Sequence, residues 1–342
     1  MDFTDWIDLA AERLGGAVLF ANDEFFAPKE NLLKPGAPIF IEGKYTDQGK
    51  WMDGWETRRR RTPGFDWCII RLGLPGIVHG VVVDTRHFKG NYPESCSIEA
   101  CAVEGTPDVD QLAGPETEWV EILSRSPLQG DAQNPFPIQH RQRFTHLRFK
   151  IYPDGGVARL RVYGEVVPDW KQISRLGGAV DLAAVENGGL VIASSDMFFG
   201  HRHNLIMPGR AASMSDGWET RRRRGPGHDW VVIKLGAPGV IQRVEVDTSY
   251  FKGNYPESCS LEGCRASGAA VDEAAIRSWP WVELLPRTRL QAHTRHFYEE
   301  EIRNVGAVSY VRFNIFPDGG VSRLRLFGRI GENGLDEGSS TF

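Results

Sequence analysis

Two runs of four arginines are the part of this sequence best suited to chemistry. Residues 58–61 and 221–224 are all arginine, and each run follows a Trp-Glu-Thr string. A guanidinium group binds a carboxylate through two parallel hydrogen bonds, so such a run could clamp a small anionic substrate. In an extended segment, alternate arginines point to opposite sides. Either some of them face a cleft, or they pair with Glu56, Glu219 or nearby aspartates, and the sequence leaves both open.

Basic runs also occur in nucleic-acid-binding patches and localisation signals. Here each run lies between Trp-Glu-Thr and a Pro-Gly turn that precedes an apolar strand, which places it inside the fold. The formal net charge of −5 provides no general attraction to nucleic acid. We therefore expect a small-molecule ligand and no nucleic-acid partner.

A second set of polar side chains lies in a loop directly after a predicted strand. Asp84, Lys89 and Asn91 place a carboxylate, an amine and an amide in this loop. The ends of strands are where such scaffolds carry binding chemistry. The alternative is structural, with the aspartate capping a turn and Gly90 providing an unusual backbone angle. The same set recurs at Asp247, Lys252 and Asn254.

These motifs occur twice because the chain contains an internal duplication. The repeats are offset by 163 or 164 residues from the arginine motif onward and by 173 residues before it. The difference places about ten extra residues in the first copy, within 37–52. The recurring segments are 53–61 with 216–224, 84–97 with 247–260, and 153–161 with 317–325.

The elements that position these motifs are predicted to be strands. Leu147, Phe149 and Ile151 alternate with charged residues, as expected for strands with one buried and one wet face. Short strands with Gly and Pro turns at this spacing indicate an antiparallel sandwich. We predict an all-β protein of two tandem jelly-roll β-sandwich domains. The best helix candidate is 4–14. The predicted divisions are a first repeat over 1–165, a second repeat over 173–330 and a polar tail over 331–342.

The cysteines and the N-terminus bear on location. Five cysteines cannot all pair within the chain, and their spacing does not match a zinc site, so we expect buried thiols. No apolar run is long enough to span a membrane. The acidic N-terminus is unlike a signal peptide. These observations predict a cytoplasmic protein with no membrane partner.

The repeated motifs Asp-Gly-Trp-Glu-Thr-Arg-Arg, Asp-Thr-x-x-Phe-Lys-Gly-Asn and Pro-Asp-Gly-Gly-Val-x-Arg-Leu-Arg resemble the allantoicase family along nearly the whole chain. The resemblance implies two sandwiches similar to galactose-binding-like domains. It also implies hydrolysis of allantoate to ureidoglycolate and urea during purine breakdown. Allantoate is then the small-molecule partner. We expect no cofactor and no metal ligands, although one divalent ion and assembly into a homo-oligomer both stay open.

The implied chemistry suggests a role for each motif. Arginines would hold the carboxylate of allantoate, and an aspartate would act as base or orient a water molecule. Lysine and asparagine would bind ureido oxygens or protonate the leaving urea. The predicted catalytic residues are Asp84, Lys89, Asp247 and Lys252. The predicted substrate-binding residues are Glu56, Arg58, Arg60, Asn91, Glu219, Arg221, Arg223 and Asn254.

Two other functions compete with this interpretation. A non-enzymatic tandem carbohydrate- or ligand-binding protein would use the same kind of sandwich. The doubled arginine and Asp/Lys/Asn sets favour an anionic, urea-like ligand over a neutral sugar. A metal-dependent amidinohydrolase would need several converging His and Asp residues. The repeated set is poor in histidine, and His228 has Phe65 as its counterpart in the first copy. Insertion 37–52 is a candidate contact or lid.

Overall fold

The computed structural model describes residues 2–266 and 273–331, and most of the predicted polar tail lies outside them. The chain divides into two compact units, with the boundary between Val167 and Pro168. Each unit contains one eight-stranded antiparallel sheet system, so the predicted all-β tandem fold is confirmed. No helix in the described part is long and apolar enough to span a membrane. The α-helices are short: α1 (Val109–Ala113), α2 (Trp170–Leu176) and α3 (Glu273–Ser278).

The first unit is organised by one strand of 19 residues. The N-terminal part of this strand pairs with two strands, and its C-terminal part pairs with two others. The long strand therefore connects the two halves of the sheet. The strands are β1 (Ile7–Asp8), β2 (Ala17–Ala21), β3 (Tyr45–Thr46), β4 (Gly49–Lys50), β5 (Trp55–Glu56), β6 (Asp66–Asp84), β7 (Ser95–Cys101), β8 (Val120–Pro127), β9 (Gln133–Pro137), β10 (Arg143–Tyr152), β11 (Gly156–Val157) and β12 (Arg159–Val166). The sheet order is β1-β12-β6-β10-β7-β8, with β2 and β9 also on β6.

The second unit repeats this topology. Its strands are β13 (Val180–Asp181), β14 (Leu190–Ser194), β15 (Trp218–Glu219), β16 (Asp229–Asp247), β17 (Ser258–Cys264), β18 (Val282–Arg289), β19 (Arg295–Tyr298), β20 (Val308–Phe316), β21 (Gly320–Val321) and β22 (Arg323–Ile330). Its order is β13-β22-β16-β20-β17-β18, with β14 and β19 also on β16.

The predicted alternation defines the core. Leu147, Phe149 and Ile151 of β10 are fully buried, and Trp55 lies 6.2 Å from the Phe149 ring. Burying one large apolar side chain stabilises a fold by about 1.5–3 kcal/mol, so this inner row contributes substantially. All five cysteines are buried free thiols, as predicted.

The predicted helix over 4–14 is wrong. The segment forms a 3₁₀ turn at Phe3–Asp5, strand β1 and a second 3₁₀ turn at Glu12–Leu14. Asp8 accepts a hydrogen bond from the Val162 backbone at 3.0 Å, next to the pairing of β1 with β12. Pairing with a distant strand therefore overrides the local helical pattern.

The insertion within 37–52 forms the β3–β4 hairpin, which has no counterpart among the described strands of the second unit. Lys44 lies over the Trp51 ring at 3.9 Å, and Lys50 lies over the Phe40 ring at 4.6 Å. His87 contacts the Pro38 carbonyl at 3.2 Å. Residues 37–52 therefore cover part of the loop that follows β6.

Candidate active site

The three repeated motifs meet in each unit. In the first unit, β5 pairs with β11, so that Glu56 lies opposite Gly156. The Thr57 backbone donates to the Gly155 carbonyl at 3.1 Å, and the Gly156 backbone donates to the Asn91 carbonyl at 2.8 Å. The arginine motif, the loop after β6 and the Pro-Asp-Gly-Gly turn are thus joined by backbone hydrogen bonds.

A buried phenylalanine lies beneath this junction. Phe88 is fully buried, and a Cβ atom at Gly156 would lie 2.0 Å from its ring. A Cβ atom at Gly54 would lie 2.7 Å from the same ring. The second unit repeats this packing, since a Cβ atom at Gly320 would lie 1.9 Å from Phe251. Glycine is needed at 156 and at 320 because the backbone there passes directly over the phenylalanine ring.

A glutamate and an asparagine from different motifs form a hydrogen bond at this junction. Asn91 Nδ2 donates to Glu56 Oε1 at 2.6 Å, and Asn254 Nδ2 donates to Glu219 Oε1 at the same distance. Burial raises the pKa of Glu56, while the hydrogen bond from Asn91 opposes that shift. Glu56 therefore keeps a proton to higher pH than an exposed glutamate, which suits a group that exchanges protons.

The first arginine of each run, two residues after the glutamate, is held by an aspartate and an aromatic ring. Arg58 Nε lies 2.6 Å from Asp23 Oδ2, and its guanidinium stacks on the exposed Phe25 ring at 5.3 Å. The Arg58 side chain nevertheless remains 63% exposed. Arg221 has the corresponding partners, Asp196 at 2.8 Å and Phe198 at 5.0 Å. Each guanidinium is positioned yet still accessible to a ligand.

The third arginine of each run is structural in its contacts. Arg60 Nη1 lies 2.6 Å from the buried Asp66, and Arg223 pairs with Asp229. Arg59 and Arg61 are exposed. The sequence left open whether the arginines face a cleft or pair with acidic residues. In each run, the first and third arginines pair with aspartates. Whether any of them binds substrate stays a prediction.

The two predicted catalytic aspartates differ in their partners. Asp84 is 2% exposed, accepts from the Arg86 backbone at 2.9 Å and is also bonded by Arg86 Nε at 3.0 Å. Asp247 accepts from the Ser249 backbone at 2.8 Å. Both carboxylates cap the turn after the long strand, as in the structural alternative, and their catalytic role stays a prediction.

The two predicted lysines lie at the surface of the same loop. The Lys89 side chain is 79% exposed and lies 3.8 Å from Asp131. Lys252 is also exposed. Neither lysine has a described contact with the Glu–Asn pair, so their predicted roles depend on a bound substrate.

We found no group of three His, Cys, Asp or Glu side chains that could hold a metal ion in residues 2–266 and 273–331. The expectation of a cofactor-free enzyme stays a prediction.

Sequence reasoning missed the residues that orient the first arginine. These residues are Asp23, which pairs with Arg58, and the rings of Phe25 and Phe26, which pack edge to face with centroids 5.1 Å apart. Their counterparts are Asp196 and the pair Phe198 and Phe199. The signal was present, because both sets have the form Asp-x-Phe-Phe at the offset of 173 residues.

Comparison with known proteins agrees with this organisation. The family model described as the allantoicase repeat matches residues 7–167 and again 180–331. A probable allantoicase from Pseudomonas aeruginosa (strain LESB58) is 50% identical over 96% of this chain and 97% of its own. The allantoicase of Dictyostelium discoideum is 49% identical over 93% of this chain and 86% of its own.

A solved structure supports the same relationship. The crystal structure of allantoicase from Saccharomyces cerevisiae is 38% identical, with a TM-score of 0.77, and covers 94% of this chain and 93% of its own. These matches favour the enzyme over the rival binding-module interpretation, and the predicted family is confirmed. The chain belongs to the allantoicase family.

Proposed function

We propose that this enzyme hydrolyses allantoate to ureidoglycolate and urea at the junction of the repeated motifs. The main support for this location of the active site is the hydrogen bond between Asn91 and Glu56, which is repeated between Asn254 and Glu219. In both units the glutamate of this pair lies two residues before an accessible, oriented arginine. Membership of the allantoicase family supports the reaction.

The substrate provides groups that match this set. Allantoate has one carboxylate and two ureido arms on a single carbon. The guanidinium of Arg58, held by Asp23, would bind the carboxylate, since oriented guanidinium groups bind carboxylates strongly. The exposed Phe25 ring would pack against a planar ureido arm. Lys89 and Asn91 would donate hydrogen bonds to ureido oxygens.

The chemistry requires proton movement and no covalent nucleophile. The leaving ureido nitrogen gains a proton as its C–N bond breaks, and the bonding electron pair stays on that nitrogen. The other ureido nitrogen loses a proton and forms a C=N bond to the central carbon. Water then adds to this bond, placing hydroxyl on carbon and a proton on nitrogen. One water is consumed and one urea is released.

Glu56 is our candidate for the proton carrier. Because its pKa is raised, Glu56 is a mixture of protonated and ionised forms closer to neutral pH than an exposed glutamate is. Asn91 fixes the orientation of its carboxylate. We assign Asp84 and Asp247 as positioning residues, because their carboxylates cap the loops that carry Asn91 and Asn254.

The test is urea release from allantoate by the purified full chain. Glu56→Gln combined with Glu219→Gln should lower turnover by at least about 10²-fold, the usual effect of losing an acid–base group. The matched control is Glu24→Gln, which removes an exposed carboxylate from the same region. Unchanged turnover in the double variant would exclude these glutamates.

The aspartates are tested in the same assay. Asp84→Asn and Asp247→Asn keep an oxygen that accepts the capping hydrogen bond. For positioning residues we expect a loss of about tenfold or less in turnover. A loss near 10²–10⁴-fold with the fold intact would instead make an aspartate the base.

Chelator treatment before the assay separates two mechanisms. Turnover that survives chelation supports acid–base chemistry by side chains. Turnover that is lost and then restored by a divalent ion would place a metal in the reaction. No urea release from folded protein under either condition would favour a binding protein.

We also propose a cytoplasmic location. It is supported by five buried cysteines that form no disulfide with one another, as is usual in reducing compartments. Assembly into a homo-oligomer stays a prediction.

A further inference from the structure

The second unit has a cleft on its sheet whose lining includes none of the residues of the proposed active site. The cleft has a volume of about 370 Å³ and is formed by β16, β17, β18 and β20. Register places Ser260 opposite Asn314 and Glu262 opposite Arg312, so these side chains form one surface. Trp230 and Phe316 provide aromatic walls, and His228 lies at one side.

The first unit has the same framework at this position. Arg148 bonds Glu99 at 2.5 Å and stacks over Trp119 at 4.7 Å, and Arg312 bonds Glu262 at 2.6 Å and stacks over Trp281 at 4.9 Å. In each unit a second arginine, on β8 or β18, also stacks on the aromatic ring that ends β10 or β20. Arg125 lies over Tyr152 at 4.4 Å and Arg287 over Phe316 at 4.1 Å.

Three substitutions distinguish the two faces. Phe65, Lys150 and Tyr152 of the first unit correspond to His228, Asn314 and Phe316 of the second. Lys150 Nζ lies 2.5 Å from Glu99 Oε1, 5.4 Å from the centre of the Phe65 ring, and its side chain is only 15% exposed. In the first unit, the lysine side chain itself therefore supplies an ammonium group to this glutamate.

The shorter asparagine changes how the equivalent glutamate is bonded. Asn314 Nδ2 donates to Glu262 Oε2 at 2.9 Å, and Arg312 Nε donates to the same oxygen at 2.6 Å. Asn314 is further bonded to Ser260 and His228. Among the described residues, no side chain replaces the Lys150 ammonium on Oε1. One positive charge is lost while the glutamate is kept.

We propose that this cleft binds a small primary alkylammonium ion, with the ammonium group on Glu262 Oε1 and the alkyl chain against Trp230 and Phe316. The Lys150 side chain of the first unit is the internal model for this ligand. The Trp230 ring also favours a cation, because a cation is attracted to the face of a ring. Arg287 already lies over Phe316 at 4.1 Å, so that ring offers the ligand apolar contact only. Arg312, the arginine of the lining, is paired with Glu262, and the second lining carboxylate, Glu283, is paired with Arg303, so the lining offers an anion no arginine without a carboxylate partner.

The experiment titrates n-butylammonium chloride into the full chain by isothermal calorimetry, with n-butanol and sodium butyrate as neutral and anionic counterparts. We expect binding of one butylammonium per chain and no binding of the other two. Asn314→Lys should abolish binding, because the new lysine fills the cleft as Lys150 does. Glu262→Gln should weaken it at least about tenfold, as expected on losing a charge-assisted hydrogen bond.

Controls separate this site from the rest of the molecule. Glu99→Gln in the first unit is the matched variant and should leave butylammonium binding unchanged. Asn314→Lys should also leave urea release from allantoate unchanged, so the result is independent of the proposed reaction. If Glu262→Gln fails to fold, Asn314→Lys decides, since the first unit carries lysine there in a folded sheet. Absence of butylammonium binding, tighter butyrate binding, or binding retained by Asn314→Lys would overturn the proposal.

Discussion

Arg159 Nη2 lies 2.6 Å from Asp53 Oδ2, and the exposed fraction of both side chains is 6% or less. The aspartate begins the arginine motif and the arginine belongs to the Pro-Asp-Gly-Gly motif. Arg159 also donates to the Asp53 carbonyl at 2.9 Å. Arg323 and Asp216 repeat the ion pair at 2.8 Å. An ion pair thus joins the first and last repeated motifs in each unit, and it is buried on both sides in the first unit, whereas the Asp216 side chain is 23% exposed.

Removing one partner of this pair should destabilise the protein strongly. Asp53→Ala leaves the Arg159 guanidinium buried without its carboxylate, so we expect unfolding free energy to fall by about 3–5 kcal/mol. Chemical denaturation of the full chain measures this. Glu104→Ala, which breaks an exposed pair with Arg143, should cost about 1 kcal/mol or less. Equal effects of the two variants would contradict the buried-pair account.

The glycine above Phe88 should be intolerant of a side chain. A Cβ atom at Gly156 would lie 2.0 Å from the ring, so Gly156→Ala should destabilise the protein by about 1–3 kcal/mol through overpacking. Phe88→Leu in the alanine background should recover part of that loss, because the smaller side chain leaves room. Thermal unfolding of the two variants provides the test. No recovery would mean that the clash lies with the backbone instead.

The pH dependence of turnover should report Glu56. Burial raises the pKa of this carboxyl group, so it is protonated at low pH and ionises above the range of an exposed glutamate. If it accepts the proton in the rate-limiting step, turnover rises with pH through that raised pKa. The profile is measured in a Glu219→Gln background, so that only the first unit contributes. Adding Glu56→Gln should remove the acidic limb, and an unchanged limb would assign it to another group.

Asp181 should make stability depend on pH. Burial raises its pKa from 3.8 to about 6, despite Arg325 nearby and hydrogen bonds from the Leu326 and Ala183 backbones. Because the folded pKa is above the unfolded one, this contribution to stability is complete below about pH 4 and is lost as pH rises through about 6. Asp181→Asn should remove a dependence of about 3 kcal/mol over that interval. Urea denaturation at several pH values tests it, and parallel curves for both proteins would contradict it.

The fold was predictable because its signals are local. Alternation in β10 and the punctuation by Gly and Pro are properties of neighbouring residues, and the duplication is visible as repeated strings. The 3₁₀ and strand structure of 4–14 was not predictable, because pairing of β1 with β12 links residues far apart in sequence. A local helical pattern contains no information about that partner.

The site shows the same division. The sequence by itself determined which residue types were present: the arginine runs, the loop set and their duplication. Only the tertiary structure decided that Arg60 is tied to Asp66, that Arg58 lies between Asp23 and Phe25, and that Glu56 meets Asn91. Partners 35 residues apart meet because sheet register brings their loops together. Burial and hydrogen bonding, which set the proton affinity of Glu56, exist only after that register has formed.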